Sequence, residues 1–214
     1  MTDPTPAVYP SKHPLVAHKL TLLRDVHTPP KRFREYLHEI SLMLAYEATT
    51  DLPTALVPVT TPLSEAEGVA LTTKIGLIPI LRAGLGMVEG FWQIVPGAEV
   101  WHLGLYRDEE TLQPVTYYNK LTDEPNIDVA FILDPMLATG GSASAAIQVL
   151  TDWGVEDIRL VCVLAAPEGI AAVHKRHPEI PIYTAAVDSH LNDIGYIVPG
   201  LGDAGDRQFG TSAA

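Results

Sequence analysis

The sequence predicts an α/β protein with a parallel central sheet, and three observations support this fold class. Short apolar runs alternate with segments of helical periodicity along the chain, which is typical of parallel sheets with helices on their faces. Two of the runs end in glycine-rich turns, and ligands of such sheets bind at the carboxyl ends of strands. A length of 214 residues, 47% of them hydrophobic, suits one domain with a substantial core. We therefore expect a single domain over residues 1–214.

The predicted elements follow from apolar spacing and from the residues that end each run. Residues 1–12 are polar and rich in proline, so we expect a loose N-terminal arm. Apolar residues at helical spacing between Pro30 and Asp51 predict an amphipathic helix. Apolar runs predict strands at residues 75–81, 99–106, 127–133, 158–165 and 180–187. Further helices are predicted at residues 85–94, 142–153 and 168–177, and Gly154 ends the second of these.

The segment 107–126 is long, polar and interrupted by Pro114 and Pro125. Long irregular segments in compact domains often serve as lids over a functional site. The alternative interpretation is a solvated hairpin that has no role in catalysis.

Charge and cysteine content limit the classes of function. A net charge of −12 repels nucleic acid and anionic lipid, so neither is expected as a partner. No run approaches the roughly 18–20 apolar residues of a membrane span, and the N-terminus lacks the pattern of a signal peptide. The single cysteine, Cys162, lies in an apolar run, which favours a core thiol over a nucleophile. A cytoplasmic enzyme is therefore expected.

The most informative segment spans residues 134–142 and reads Asp-Pro-Met-Leu-Ala-Thr-Gly-Gly-Ser. It connects a predicted strand to a predicted helix. Its two glycines let the backbone approach an anion, which the free N–H groups and the dipole of a helix N-terminus then bind. Thr139 and Ser142 add hydroxyl donors, whereas Asp134 suits ribose hydroxyls or a bridging cation. The simpler interpretation is a helix N-terminus with ordinary capping residues.

A second turn of small residues lies at 80–86, where a predicted strand passes into a helix. Such a turn presents N–H groups to an anion, and Arg82 adds a positively charged fork. Considered alone, Arg82 would more often be a surface residue in an ion pair. Two anion-binding turns together suit a substrate that carries phosphates at both ends.

The C-terminal run 196–206 has small residues and a proline around two acids, and we expect no regular helix or strand in it. Such a loop exposes backbone N–H and C=O groups that can hydrogen-bond the edge of a flat base. The alternatives are a tail loop or a calcium site, but the spacing lacks the ligand pattern of an EF-hand. His174 and His177 could form a zinc pair, although a position at a helix C-terminus suits them better.

These segments resemble, in the same order, those of the uracil phosphoribosyltransferase family. The similarity covers nearly the whole chain and extends to residues 13–25, 105–111, 165–169 and 200–207. Most phosphoribosyltransferases carry two adjacent acids at the start of the loop 134–142, whereas the uracil branch has a proline second, as at Pro135. The resemblance implies a type I phosphoribosyltransferase fold with a hood, residues 107–126, over the active site. It also implies a reaction of pyrimidine salvage, in which uracil and phosphoribosyl diphosphate (PRPP) give UMP and diphosphate.

The resemblance also implies roles for individual residues. Those expected to bind PRPP are Arg82, Arg107, Asp134, Pro135, Met136, Leu137, Ala138, Thr139, Gly140, Gly141, Ser142 and Asp203. Those expected in catalysis are Arg82, Arg107, Asp134 and Asp203. Those expected to bind uracil, within a C-terminal loop 196–211, are Ile197, Gly202, Asp203 and Ala204. The alternative for Arg107 is an ion pair with Asp108, Glu109 or Glu110. In related enzymes the turn that corresponds to residues 80–86 can hold a cis peptide, which would here be Arg82–Ala83.

Cofactors and partners follow from the same resemblance. Mg²⁺ is expected, bound chiefly through PRPP, with Asp203 as its candidate protein ligand. Uracil and PRPP are the expected substrates, GTP is a candidate effector, and a homodimer or larger homo-oligomer is expected. Two other functions stay open: transfer to another base, such as a purine or orotate, and RNA-binding regulation by a PRPP-binding fold. The loop 197–206, which resembles the uracil branch specifically, disfavours the first, and an isoelectric point of about 4.9 disfavours the second.

Overall fold

The computed structural model describes residues 7–107, 114–119, 121–122 and 124–211, and of residues 105–107 and 114–119 it describes the backbone. The helices are α1 Pro14–Arg24, α2 Pro30–Ala48, α3 Leu85–Ile94, α4 Gly141–Trp153, α5 Pro167–Arg176 and α6 Ala204–Phe209. The strands are β1 Val8–Pro10, β2 Thr54–Thr60, β3 Glu65–Leu71, β4 Ile75–Leu81, β5 Glu99–Val100, β6 Leu103–Arg107, β7 Pro114–Asn119, β8 Val129–Leu133, β9 Met136–Leu137, β10 Asp157–Ala165, β11 Ile182–Val187, β12 His190–Leu191 and β13 Ile197–Val198.

A sheet in the order β1-β11-β10-β8-β4-β6-β7 forms the centre of the fold. Neighbouring strands in this order are parallel, except that β6 and β7 pair antiparallel. The short strands β5 and β9 pair with β4 and β10. The predicted buried runs therefore form the middle of a largely parallel sheet, and the predicted α/β class is confirmed.

Two hydrophobic cores cover the two faces of this sheet, and alternate residues of β10 belong to different cores. Val161 and Val163 pack with α1, α2 and α3, whereas Leu160 and Cys162 pack with α4 and α5. Because both faces are buried, the strand consists of one continuous apolar run. Cys162 is fully buried, and burial raises the pKa of its thiol to about 12. Its predicted position as a core thiol is confirmed.

Strand β1 and the strand predicted at 99–106 differ from the expectation. Val8–Pro10, expected in a loose arm, forms β1 at the edge of the sheet. Tyr9 stacks on Tyr183 with ring centroids 4.9 Å apart, a long-range contact that leaves no local pattern in a three-residue strand. The strand predicted at 99–106 is divided into β5 and β6. The ladder with β4 stops after Trp101, whose N donates to the carbonyl oxygen of Leu77 at 2.9 Å, and it resumes at Leu103. The indole of Trp101 packs edge-on against Trp153.

Strands β2 and β3 form an antiparallel hairpin apart from the main sheet, an element absent from the prediction. Six of the seven residues in each strand are exposed. Because neither face of the hairpin is buried, the chain lacks the alternation of apolar and polar residues that identifies a strand.

The C-terminal ends of α4 and α5 lie within one residue of the predicted positions. Gly154 ends α4 with φ 102°. His177 is the C-cap of α5, and His174 Nε2 lies 3.0 Å from the carbonyl oxygen of Ile180. Both histidines therefore lie at a helix C-terminus. None of the helices in the described part of the chain is long and apolar enough to cross a membrane.

Candidate active site

The loop after β8 leads into α4 and presents backbone donors at the helix start. The helix begins at Gly141, one residue before the predicted start, and follows Gly140 with φ 78°. No side chain caps this helix, so the N–H groups of its first turn are open to an external anion. The simpler interpretation, a helix N-terminus with ordinary capping residues, is therefore not supported.

Close contact with the start of α5 fixes the conformation of this loop. A Cβ atom on Gly169 would lie 2.4 Å from the carbonyl oxygen of Ala138, so only glycine permits the approach. Ala166 N donates a hydrogen bond to the carbonyl oxygen of Leu137 at 2.9 Å. The carbonyl oxygen of Pro135 accepts from two backbone amides of β10, each at 3.0 Å. The segment 165–169 thus packs against the loop and supports its conformation. The family resemblance includes this segment but assigns it no role.

Asp134 lies half-buried at the carboxyl end of β8. Burial raises the pKa of its carboxyl group to about 7, and a hydrogen bond donated by Met136 N opposes this rise. That hydrogen bond is long, at 3.4 Å. A carboxyl group that titrates near neutral pH inside a cavity is typical of a functional acid.

The turn after β4 contains a cis peptide at Leu81–Arg82, and not at Arg82–Ala83 as expected. The chain reverses directly at the end of the strand, where Gly84 N donates to the carbonyl oxygen of Ile80 at 2.9 Å. The cis peptide therefore lies directly at the end of β4, before the small residues of the turn.

The Arg82 side chain extends from this turn towards the C-terminal segment. Its Nη2 lies 3.2 Å from Oδ1 of Asp206, and the side chain is 59% exposed. Its Cζ lies 6.0 Å from the ring centroid of Phe209. The positive charge is thus open to solvent and to a ligand.

The C-terminal segment is more regular than expected. Ile197–Val198 forms β13, which pairs antiparallel with β12, and Ala204–Phe209 forms α6. Asp203 is the N-cap of α6, and Gly210 ends the helix with φ 68°. An aspartate before and a glycine after a short stretch are helix signals, but six residues are too few to show helical periodicity. The expected loop over 196–206 is wrong for this reason.

One cavity of about 210 Å³ brings the predicted segments together. Its lining consists of Ala83, Asp134, Met136, Ala138, Gly195, Tyr196, Ile197, Gly202, Asp203, Ala204 and Gly205. These residues come from the turn after β4, the loop after β8 and the C-terminal segment. All four residues predicted to bind uracil are among them. A small cavity with a few converging polar groups is typical of a ligand site.

The other predicted residues lie around this cavity or outside the described part of the chain. Pro135 and Leu137 are buried under the loop, and Thr139 is exposed on it. The backbones of β6 and β7 pair as a hairpin at the start of the predicted hood. The side chain of Arg107 and residues 108–113 lie outside the described residues. The diphosphate contact of Arg107 and its alternative ion pairs therefore stay predictions.

Three charged residues hold the C-terminal segment in place, and none of them has a role in the sequence-based prediction. Arg24 donates two hydrogen bonds to the carboxylate of Asp188, at 2.7 and 2.5 Å, and a third to the carbonyl oxygen of Gly200 at 2.7 Å. Gly200 N donates to Asp188 at 2.9 Å. Arg207 donates to backbone carbonyls of α1 and of the loop before α6, both at 2.8 Å. These partners are far apart in the chain, and only the family-like stretches 13–25 and 200–207 indicated the region.

Comparison with known proteins identifies the family. The family described as uracil phosphoribosyltransferase matches residues 10–211. The chain belongs to the uracil phosphoribosyltransferase family. A uracil phosphoribosyltransferase of Roseiflexus castenholzii is 59% identical over 204 residues, which cover 95% of this chain and 98% of that protein. One from Dictyoglomus thermophilum is 58% identical over 200 residues, which cover 93% of this chain and 97% of that protein.

Solved structures agree with the fold. The AQ2163 protein of Aquifex aeolicus has a TM-score of 0.90 at 38% identity, over 97% of this chain and 100% of that one. A hypoxanthine phosphoribosyltransferase of Trypanosoma cruzi has a TM-score of 0.51 at 11% identity, over 74% of this chain and 75% of that one, which shows the fold alone. The predicted fold, family and enzyme class are confirmed: the chain is a phosphoribosyltransferase of the uracil branch.

Proposed function

We propose that the 5-phosphoribosyl group of PRPP passes to uracil in the cavity described above, giving UMP and diphosphate. The observation that carries this proposal is the convergence of Ala83, Asp134 and residues 202–205 on one cavity of about 210 Å³. They belong to the segments expected to bind diphosphate, ribose and base. Holding these three parts of the reaction together supplies much of what catalysis requires.

PRPP would bind between two anion sites. The uncapped N-terminus of α4 would receive the 5′-phosphate, with hydroxyl donors from Thr139 and Ser142. Arg82 would contact the diphosphate, and Arg107 is proposed as a second contact. Asp134 would accept hydrogen bonds from the ribose hydroxyls. As the bond to diphosphate breaks, positive charge grows on the ribose and negative charge on the leaving group, so Asp134 and Arg82 lie where opposite charges develop.

Uracil would bind through the backbone groups of Ile197, Gly202 and Ala204, all of which line the cavity. The base offers two carbonyl acceptors and one N–H donor along its edge. Cytosine places an amino donor where uracil has a carbonyl, so a backbone N–H would face a donor without a partner. Buried mismatches of this kind give strong discrimination.

The carboxylates of the cavity suit Mg²⁺, which binds oxygen ligands and substrate phosphates. Asp134 and Asp203 line the same cavity. Asp203 Oδ1 accepts a hydrogen bond from Asp206 N at 2.8 Å, and its other carboxylate oxygen has no hydrogen bond to a described residue. Asp203 would hold the ion together with PRPP. When bound, the ion supplies positive charge against the diphosphate, in a chain whose net charge is −12.

The test of this function is UMP formation from PRPP and a panel of free bases, with Ala204→Val as the specificity variant. Ala204 lines the cavity, so two added methyl groups should block the base. We expect the KM for uracil to rise about 10-fold to 100-fold, the scale of a steric mismatch, with the KM for PRPP nearly unchanged. The wild-type enzyme should use uracil and 5-fluorouracil and reject cytosine, adenine and orotate. Excess chelator should stop the reaction.

Ala171→Val is the matched control, because Ala171 is exposed on α5 and should tolerate the same two methyl groups. Turnover of hypoxanthine, guanine or orotate without turnover of uracil would overturn the proposed function and leave the fold assignment intact. Full activity in excess chelator would remove the metal from the proposal.

A homo-oligomer is also proposed, and the exposed hairpin of β2 and β3 supports it. Leu56 and Val69 lie directly opposite each other in this hairpin, and they are 67% and 68% exposed. Apolar pairs on an extended hairpin suit an interface between copies of the chain. The double variant Leu56→Glu, Val69→Glu should have the mass of a monomer in light scattering. Tyr46→Glu, on an exposed part of α2, is the control. A wild-type protein that is already monomeric would exclude the proposal.

A cytoplasmic location and activation by GTP also stay predictions. The one cysteine, buried as a thiol, suits a reducing compartment. No group of described residues indicates a GTP site, so stimulation of UMP formation by added GTP is the direct test.

A further inference from the structure

Asp206 is the ion-pair partner of Arg82 among the described residues. The distance from Arg82 Nη2 to Asp206 Oδ1 is 3.2 Å. The contact uses one of the several N–H donors that a guanidinium group carries in a fixed planar fork. The remaining donors stay available to a second anion.

The Asp206 carboxylate is held in place before any ligand binds. Thr211 Oγ1 donates to its Oδ1 at 2.6 Å. Its backbone is fixed in the first turn of α6, where Asp206 N donates to Oδ1 of Asp203 at 2.8 Å. The hydrogen bond from Thr211, followed by the contact with Arg82, lowers the pKa of the carboxyl group. Asp206 is therefore ionised at neutral pH.

We propose that Asp206 is a positioning residue, which orients the guanidinium of Arg82 so that its free N–H donors face the leaving diphosphate. This inference rests on the proposed function. An exposed single-donor ion pair is weak, so it contributes little to stability. The ion pair acts through geometry. An arginine side chain whose guanidinium group is held by one contact samples fewer unproductive orientations. Asp203 and Ala204 begin the same helix, so the base site and the diphosphate site share one rigid element.

A competing interpretation is that Asp206 withholds Arg82 from the diphosphate. The two interpretations differ in sign. Orientation predicts a lower kcat when Asp206 is removed, whereas withholding predicts tighter binding of PRPP and no loss of kcat.

Gln208 offers a control on the same helix. Its Nε2 donates to the carbonyl oxygen of Ala83 at 2.9 Å, so it also connects α6 to the turn after β4. Its Oε1 is buried and has no hydrogen-bond partner among the described residues. Gln208→Leu removes this second connection without changing the contact between Arg82 and Asp206. This variant therefore distinguishes a loss of activity caused by misorientation of Arg82 from one caused by looser packing of α6 against the turn after β4.

The experiment compares kcat and both KM values for Asp206→Ala, Asp206→Asn and Gln208→Leu. Asp206→Ala should lower kcat about 10-fold, with the KM for uracil unchanged. Asp206→Asn should recover most of the loss, since its amide oxygen can accept from both Arg82 and Thr211. Gln208→Leu should keep kcat within about twofold of wild type. Melting curves verify that each variant is folded.

Several results would overturn this inference. They are an unchanged kcat in Asp206→Ala, an equal loss in Asp206→Asn, or an equal loss in Gln208→Leu. Should Asp206→Ala fail to fold, Asp206→Leu replaces it with the same expected loss of kcat, because leucine also has no acceptor for Arg82 or Thr211. Absence of UMP formation by the wild-type enzyme would instead refute the proposed function itself.

Discussion

Asp134→Asn is expected to lower kcat by about 10²-fold or more, the scale seen when one electrostatic contributor to a transition state is removed. The substitution keeps the size of the side chain and one acceptor oxygen but removes the charge opposite the ribose. Steady-state rates of UMP formation measure the loss. Asp152→Asn is the matched control, because Asp152 is an exposed acid on α4 that accepts a hydrogen bond from Gln148. Turnover near that of wild type would remove Asp134 from the active site.

The same substitution should not destabilise the fold. Burial raises the pKa of Asp134 from 3.8 to about 7, so the folded state binds the proton more tightly than the unfolded state. The free energy of unfolding of the wild-type protein therefore falls as the pH rises from about 4 to about 7 and stays at its lower value above that. Asparagine has no such dependence, so the variant should melt at or above the wild-type temperature at pH 8. Parallel losses of stability and activity would instead indicate that Asp134 has a structural role.

Kinetics should report the same titration. In the wild-type enzyme, kcat/KM for PRPP should fall as the pH drops below about 7, where Asp134 becomes protonated. PRPP has titrating phosphates of its own, and they affect the wild-type and variant enzymes alike. The ratio of the two profiles therefore isolates Asp134.

Arg82→Ala is expected to lower kcat about 10²-fold to 10³-fold, with a smaller change in the KM for PRPP. The diphosphate carries more negative charge as it departs than it does in bound PRPP, so the lost interaction is strongest in the transition state. The side chain is 59% exposed, and its removal should leave the melting temperature nearly unchanged.

Arg32→Ala is the matched control for this variant. Arg32 is 61% exposed and pairs with Glu35 at 2.6 Å on α2, away from the residues that line the cavity. Its removal should leave both kinetic constants near their wild-type values. Should Arg82→Ala also keep both constants, Arg82 would have no part in binding the leaving group.

The sequence predicted the centre of the fold better than its edges, for physical reasons. Strands such as β4 and β10 are buried on both faces, so their long apolar runs are distinctive. The exposed hairpin of β2 and β3 buries neither face, and α6 is too short for periodicity. The hairpin is held by pairing between its two strands, and α6 is marked only by the residues at its two ends. Neither feature produces a hydrophobic periodicity in the sequence.

Residues that the prediction placed at strand ends come together at one cavity. Ala83 and Asp134 follow neighbouring parallel strands, whose carboxyl ends meet at one edge of the sheet. The C-terminal segment could be assigned to the same cavity only because of the family resemblance. The contact between Arg82 and Asp206 joins positions 124 residues apart, and no local pattern could indicate it.

The hydrogen bonds of Arg24 and Arg207 have a consequence for how this enzyme should be mapped by mutation. If uracil is read by main-chain groups, truncating the side chains of residues 197–204 leaves those groups in place. Apart from Asp203, the candidate ligand of Mg²⁺, alanine scanning would then find few sensitive positions at the base itself. It would find them behind the cavity, at Arg24, Asp188 and Arg207, whose side chains hold that main chain in position. The residues that control base selectivity would lie one layer away from the base.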